Sequence, residues 1–458
     1  MNKQYDKYFP PDPGGSLSLK NTDVNDAAVI ISAALEDSLD AGTALIKPVV
    51  TRSSEISVVK DGVAITYSAN TAPFCDGGLF NPVPVENLIQ NNTTATGWVG
   101  QVPTTGEDDI FAGSNALKFS DSSELATSLA VVDTVVVPST DSYVWIGYVK
   151  KASAPVMVVP RFNLNFRLGT QLNYYCKFNP YTGEYALSGT PFEYVYVEDH
   201  GDWWLVCLMG SDTNNDNTSV RFGVNAAISS NISGGNDVSL TGDIIISHPM
   251  LIKADVFPGP IVIPTTGATA AITEQTIEWE LTQAVKDFLS TAEGHATAIG
   301  ALTCNFTSYM ANGQLTSGSD GIIALRDTAT DLFYVLRSGT PDQRPRSYDG
   351  TNFTEANITP DAGDQWNISI HWNSTAGTLS ISINGPNVTD SGDSVAFDGA
   401  FVGLAKFKIG HHTETAWAIK NIRLVGMGGS ALTPFKRVLH DADHVIHSTD
   451  MVVHTHPA

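Results

Sequence analysis

The chain has 458 residues, room for about three domains of ~150 residues each, with hydrophobic residues at 42% and charged residues at only 16%. Its formal net charge of −23 repels phosphate backbones and argues against a nucleic-acid partner. No apolar run of about 18 residues and no sustained heptad pattern is present, so neither membrane insertion nor a long coiled coil is expected.

Residues 1–20 contain PPDPGG and read as an extended arm that orders on binding; the opening MNKQYDKYFPPDPGG has no apolar core and is not read as a secretory signal. Residues 24–40, VNDAAVIISAALEDSLD, form the best local helix candidate, with Asn25 or Asp26 as cap. Glu36, Asp37 and Asp40 would oppose its dipole. Residues 44–69 read as strands with a tight turn at Lys60-Asp61-Gly62.

From about residue 87 to 256, strand-like runs alternate with turn clusters, the pattern of a β-sandwich or barrel. The clearest is Arg161–Leu168, with Phe162, Leu164, Phe166 and Leu168 on one face and Arg161, Asn163, Asn165 and Arg167 on the other. PGPIVIPTTGATAA, residues 258–271, reads as a proline-rich linker. A second strand series covers about 272–426, interrupted by a short helix candidate at Thr282–Leu289. The expected fold is all-β: two tandem sandwiches, 87–257 and 272–430, behind a small mixed N-terminal segment, 1–86, and ahead of a His-rich tail, 431–458. Cys75, Cys176, Cys207 and Cys304 make no CxxC pair and read as small buried hydrophobes, as in a reducing cytoplasm.

Three regions carry a resemblance. The TR, ANTAPF-like and NLI elements of residues 50–90 look like the segment preceding carbohydrate-binding-like sandwiches in phage tail-fibre and head-fibre proteins. GDWW and HPMLIKADVFPGPIVIPTTGA, within 201–269, resemble the way those sandwiches end. Residues 321–425 are similar to the laminin-G, or concanavalin A-like, jelly roll, with Trp366 as the core Trp that opens a strand and FKIG leading into the closing strand. That family's calcium ligands do not map, so the fold carries over without a metal site. The resemblance implies a structural protein of a tailed-bacteriophage virion, assembled in the host cytoplasm. Residues 1–86 would bind other virion proteins of capsid, collar or tail, and the sandwiches would project as a head or tail fibre or spike that contributes to adhesion on host-surface glycans. A capsid decoration protein with no host ligand is the alternative, and a glycan-degrading tailspike enzyme a further one.

A non-enzymatic role is expected, because no GxSxG, HExxH, P-loop or dinucleotide fingerprint occurs and no local signature selects a carboxylate pair. Trp145, Tyr148, Tyr174, Tyr175, Tyr194, Tyr196, Trp203 and Trp204 are candidate sugar platforms, with core packing as the alternative for each. Alternation puts Trp204 inside with Val206 and turns Trp203 outward. The candidate glycan-binding set is therefore Arg161, Asn163, Asn165, Arg167 and Trp203; its alternative is a solvated face or subunit contact. Five of the 11 histidines are His440, His444, His447, His454 and His456. His454 and His456 form an HxH pair that resembles metal sites on the axes of trimeric phage fibres. A homotrimer is expected, with a metal ion at that axis and no other cofactor; a flexible polar end is the alternative.

Overall fold

The computed structural model describes residues 28–33, 49–124, 129–136, 138–156, 158–281, 298–309, 319–326, 332–337, 344–349, 351–358, 361–385, 389–391, 394–397, 404–411, 416–428, 438–440, 444–447 and 452–455. Among them every regular element is a β-strand, and every strand pairing is antiparallel. The first sandwich stacks two sheets. One runs Tyr185–Gly189, Leu172–Phe178, Val159–Arg167, Ser219–Ser229, Ala130–Val135 and Val99–Gly100. The other is centred on Trp203–Ser211, Ser142–Lys150 and Gly242–Lys253. Their inner faces meet around Trp145, whose indole stacks on Phe222 with ring centroids 4.5 Å apart and planes 12° apart. Such a contact adds roughly 0.5–1.5 kcal/mol beyond area burial.

The second sandwich pairs a nine-stranded sheet with a seven-stranded one. Its core holds Phe306, Trp366, Trp372, Phe407 and Trp417. Gln365–Asn373 and Thr378–Asn384 bury every second residue, as one-sided strands should. Trp366 stands at the start of its strand and is buried, and FKIG lies in Leu404–His411, ahead of Trp417–Gly428.

The helix expected over 24–40 gives way to a strand, Ala28–Ala33, which pairs with Ile422–Gly426 of strand Trp417–Gly428. The segment AVIISA is rich in β-branched residues, and an open strand edge supplies the backbone partners a helix would have found internally. The helix candidate Thr282–Leu289 lies outside the described residues. The hairpin at Lys60-Asp61-Gly62 forms as expected: Lys60 faces Val63, and Asp61 and Gly62 take φ of 51° and 75°. Two positive φ values in a two-residue loop match the right-handed twist of the flanking strands.

Residues 49–86, expected as part of a separate segment, are built into the body. Val49–Thr51 joins the seven-stranded sheet through Thr276–Glu280, and Gly78–Asn81 joins the nine-stranded sheet through Trp417–Ile419. Ile56–Lys60 and Val63–Tyr67 contribute to a third core. That core also takes Val144, Ile146 and Leu205 from the outer side of the first sandwich and Tyr309, Ala416 and Ala418 from the second.

Residues 258–271, expected as a linker, are likewise held. Ile261 and Val262 pair with Val58 and Ser57 and are fully buried. Asn87 and Asn92 both donate side-chain N–H groups to the Ile263 carbonyl, at 3.1 and 2.8 Å, while the Thr265 hydroxyl donates to the Ile89 carbonyl at 2.6 Å. These bonds explain why NLIQNN and IPTTG occur together: each supplies the buried backbone partners of the other.

Candidate functional site

The outer face of the six-stranded sheet is a grid of polar side chains. Pairing aligns Asn225, Arg161 and Lys177 in one row; Val131, Gly223, Asn163 and Tyr175 in the next; and Asp133, Arg221, Asn165 and Asn173 in a third. The inner residues of the same strands, Phe162, Leu164, Phe166, Val220, Phe222 and Val224, fill the core, so alternation forces the polar set outward. Leu168, expected to continue the inner row, is 75% exposed at φ 67°, because the strand ends at Arg167 and turns.

At the centre, the Asn225 side-chain oxygen Oδ1 accepts from both the Arg161 guanidinium and the Asn163 side-chain amide, each at 3.0 Å. The Arg161 guanidinium lies 4.6 Å from the Tyr175 ring centroid. Burial lowers the Arg161 pKa. Gly223 keeps the middle of the grid shallow: a Cβ there would approach Leu129, Val131 and Asn163 at 3.1, 3.2 and 3.3 Å. Two buried polar atoms, Arg161 Nε and Asn163 Oδ1, have no hydrogen-bond partner among the described residues, and Asn163 is only 2% exposed. An unmet donor and an unmet acceptor stand on neighbouring residues of one strand face.

Asn165 belongs to the same face and donates to Asn173 at 2.7 Å. Arg167 stands at the strand's far end, about 20 Å from Arg161 at the usual rise. Trp203 is a correction. It is 3% exposed and packs in the third core, although Trp204 does pack on the sandwich interior with Val206 as alternation required. Alternation gave the right phase. The face it assigned to solvent is covered by residues 56–85 and 256–263, so Trp203 is removed from the candidate set. Trp145, Tyr148 and Tyr174 are also buried, while Tyr175, Tyr194, Tyr196 and Trp204 keep partial exposure. His454 lies on strand Val452–Thr455, opposite Val445 in a small three-stranded sheet, and His456 lies outside the described residues.

Asn225 and Lys177 were not singled out from the sequence, and Tyr175, named there as a candidate sugar platform, was not placed on this face. The signal was present, since VRFGVNA and LNYYCKF alternate in the same way as RFNLNFR.

No protein-family model matches the chain, and no curated protein matches it. Among solved structures, a tail fibre protein from an E. coli phage aligns at 8% identity and a TM-score of 0.19, covering 85% of this chain and 42% of that one. The full extracellular region of zebrafish Gpr126/Adgrg6 aligns at 8% identity and a TM-score of 0.17, covering 69% of this chain and 36% of that one. The chain thus spans less than half the length of either, and at these scores neither likeness carries an argument about function.

Proposed function

We propose that the chain is a non-enzymatic structural protein of a tailed-bacteriophage virion, a fibre or spike whose first sandwich adheres to host-surface glycans. The virion assignment rests on the sequence resemblance of residues 50–90 and 201–269. The adhesive role rests on one observation: the outer face of the six-stranded sheet, where Arg161 Nε and Asn163 Oδ1 lie without partners beside the Tyr175 ring. Sugars present the complementary chemistry, hydroxyls that both donate and accept together with apolar CH faces that stack on aromatic rings. Attachment to capsid, collar or tail falls to residues 1–27 and 34–48, since Ala28–Ala33 and residues 49–86 are occupied within the body. A homotrimer with His454 and His456 at its axis completes the proposal.

The test is binding of the purified full chain to a broad glycan array and to host cells. Binding that Asn163→Leu and Tyr175→Ala weaken tenfold or more supports adhesion. An array and cells that both stay blank would leave a capsid decoration protein as the reading.

A further inference from the structure

Charge on the candidate face is distributed unlike charge elsewhere in the first sandwich. Residues 87–257 hold roughly twice as many carboxylates as Lys and Arg. Most of the cations there are taken: Lys118 by Asp243, Lys150 by Asp202, Lys151 by Asp199, Lys253 by Asp141 and Arg221 by Asp133. Among the described residues, Arg161, Arg167 and Lys177 are the exceptions, and all three lie on two adjacent strands of this one sheet.

Arg221 stands on the same face and shows the contrast. Its Nε and one terminal nitrogen both donate to the Asp133 carboxylate at 2.6 Å, a closed bidentate pair. The corresponding edge of Arg161 gives one nitrogen to Asn225 and leaves Nε open. Lys177 sits directly opposite Arg161 in the pairing register, where like charges repel. Its ammonium donates to the Gly234 carbonyl, which ties the glycine-containing loop to the edge of the face. Burial lowers the Lys177 pKa first and the neighbouring Arg161 charge lowers it further, and no carboxylate among the described residues offsets either. An anion on this spot would relieve the repulsion and complete the open edge of the guanidinium.

We propose that the ligand of this face is an acidic polysaccharide, with a uronic-acid carboxylate seated on Arg161 and Lys177 beside Tyr175. The inference rests on the adhesion reading and adds the class of sugar. Arg167, farther along the strand, gives a polyanionic chain a second cation on the same line.

The discriminating pair of probes is an oligogalacturonate and its carboxyl-reduced counterpart, equal in length and linkage and differing only in charge. Calorimetric titration of the full chain should show binding of the acidic form at least tenfold tighter than the reduced form, weakening as salt rises. Arg161→Gln and Lys177→Gln should each remove most of that preference, while Lys253→Gln at a paired position should not. Arg161→Gln should melt no lower than the parent without ligand, which separates a binding role from a structural one. Equal binding of both probes, unchanged in Arg161→Gln, overturns the acidic-sugar inference and leaves adhesion standing. Binding of neither probe while neutral glycans on the array do bind overturns it too. A blank array and two blank titrations overturn both.

Discussion

Arg52 is 1% exposed and, among the described residues, has no acidic partner. Its guanidinium donates to the Ser54 and Ser68 carbonyls at 2.9 and 2.8 Å and to the Gln275 side-chain oxygen at 2.6 Å. Gln275 in turn donates to the Phe80 carbonyl at 3.1 Å. Burial brings the Arg52 pKa down to about 10. Arg52→Ala leaves the buried Gln275 oxygen and the partly buried Ser54 and Ser68 carbonyls without their donor, at about 1–3 kcal/mol for a lost buried partner. The expected loss is about 1–3 kcal/mol, read as a lower urea midpoint, and a midpoint equal to the parent's would contradict it.

His248 gives a pH dependence. It is buried, and desolvation lowers its pKa to about 4, against about 6.5 in the unfolded chain. Between those values the unfolded state binds the proton and the folded state does not. Stability is therefore full above pH ~6.5 and falls by up to ~3 kcal/mol as pH drops toward 4. His371, lowered by burial as well, acts in the same direction. Urea titrations at pH 7 and pH 4.5 should show the decline, and it should be smaller in His248→Gln.

At the scale of the element, the open edge of strand Trp417–Gly428 matters most. Gly78–Asn81 covers Trp417–Ile419, and Ala28–Ala33 covers Ile422–Gly426. Removing residues 1–33 uncovers the second half of that edge. An unpaired edge recruits other strands, so the truncated chain should form larger species in size-exclusion chromatography with light scattering; a species distribution matching the parent's would contradict this.

Strands were legible where one face meets a core and the other does not: Arg161–Arg167 and Gln365–Asn373 declare themselves by period alone. The two-residue turn was legible because Asp-Gly tolerates positive φ. AVIISA was not, because a short apolar run has no period and its partner lies at the far end of the chain. Trp203 failed for a related reason. A sheet covered on both faces keeps its alternation but loses its solvent side. Within the candidate face the residue types were visible, but their neighbours across the sheet needed the pairing register.

At the scale of the molecule, the third core joins the sandwiches. Phe80 packs edge-on against Tyr309, and Tyr309 faces the Cys75 sulfur at 3.5 Å. Burial pushes the Cys75 thiol up to about 12 and keeps it un-ionised there. Residues 256–263 run through this core and are buried. Limited proteolysis should therefore spare the proline-rich stretch and cut surface loops first, and calorimetry should show both sandwiches unfolding in one transition. Early release of a fragment ending near residue 258 would contradict the shared core.

That core also sets a timetable for synthesis. Phe80 and Val58 emerge from the ribosome more than ~300 residues before the Ala416 and Ala418 that help enclose them. At ~5–20 residues per second, the wait is roughly 20–70 s. The first sandwich can pair its own strands meanwhile, while the apolar surface that should seal it to its neighbour stays open. Native closure thus waits for the synthesis of Ala416 and Ala418, and a chain ended before them carries a sticky, unfinished joint in place of a usable half.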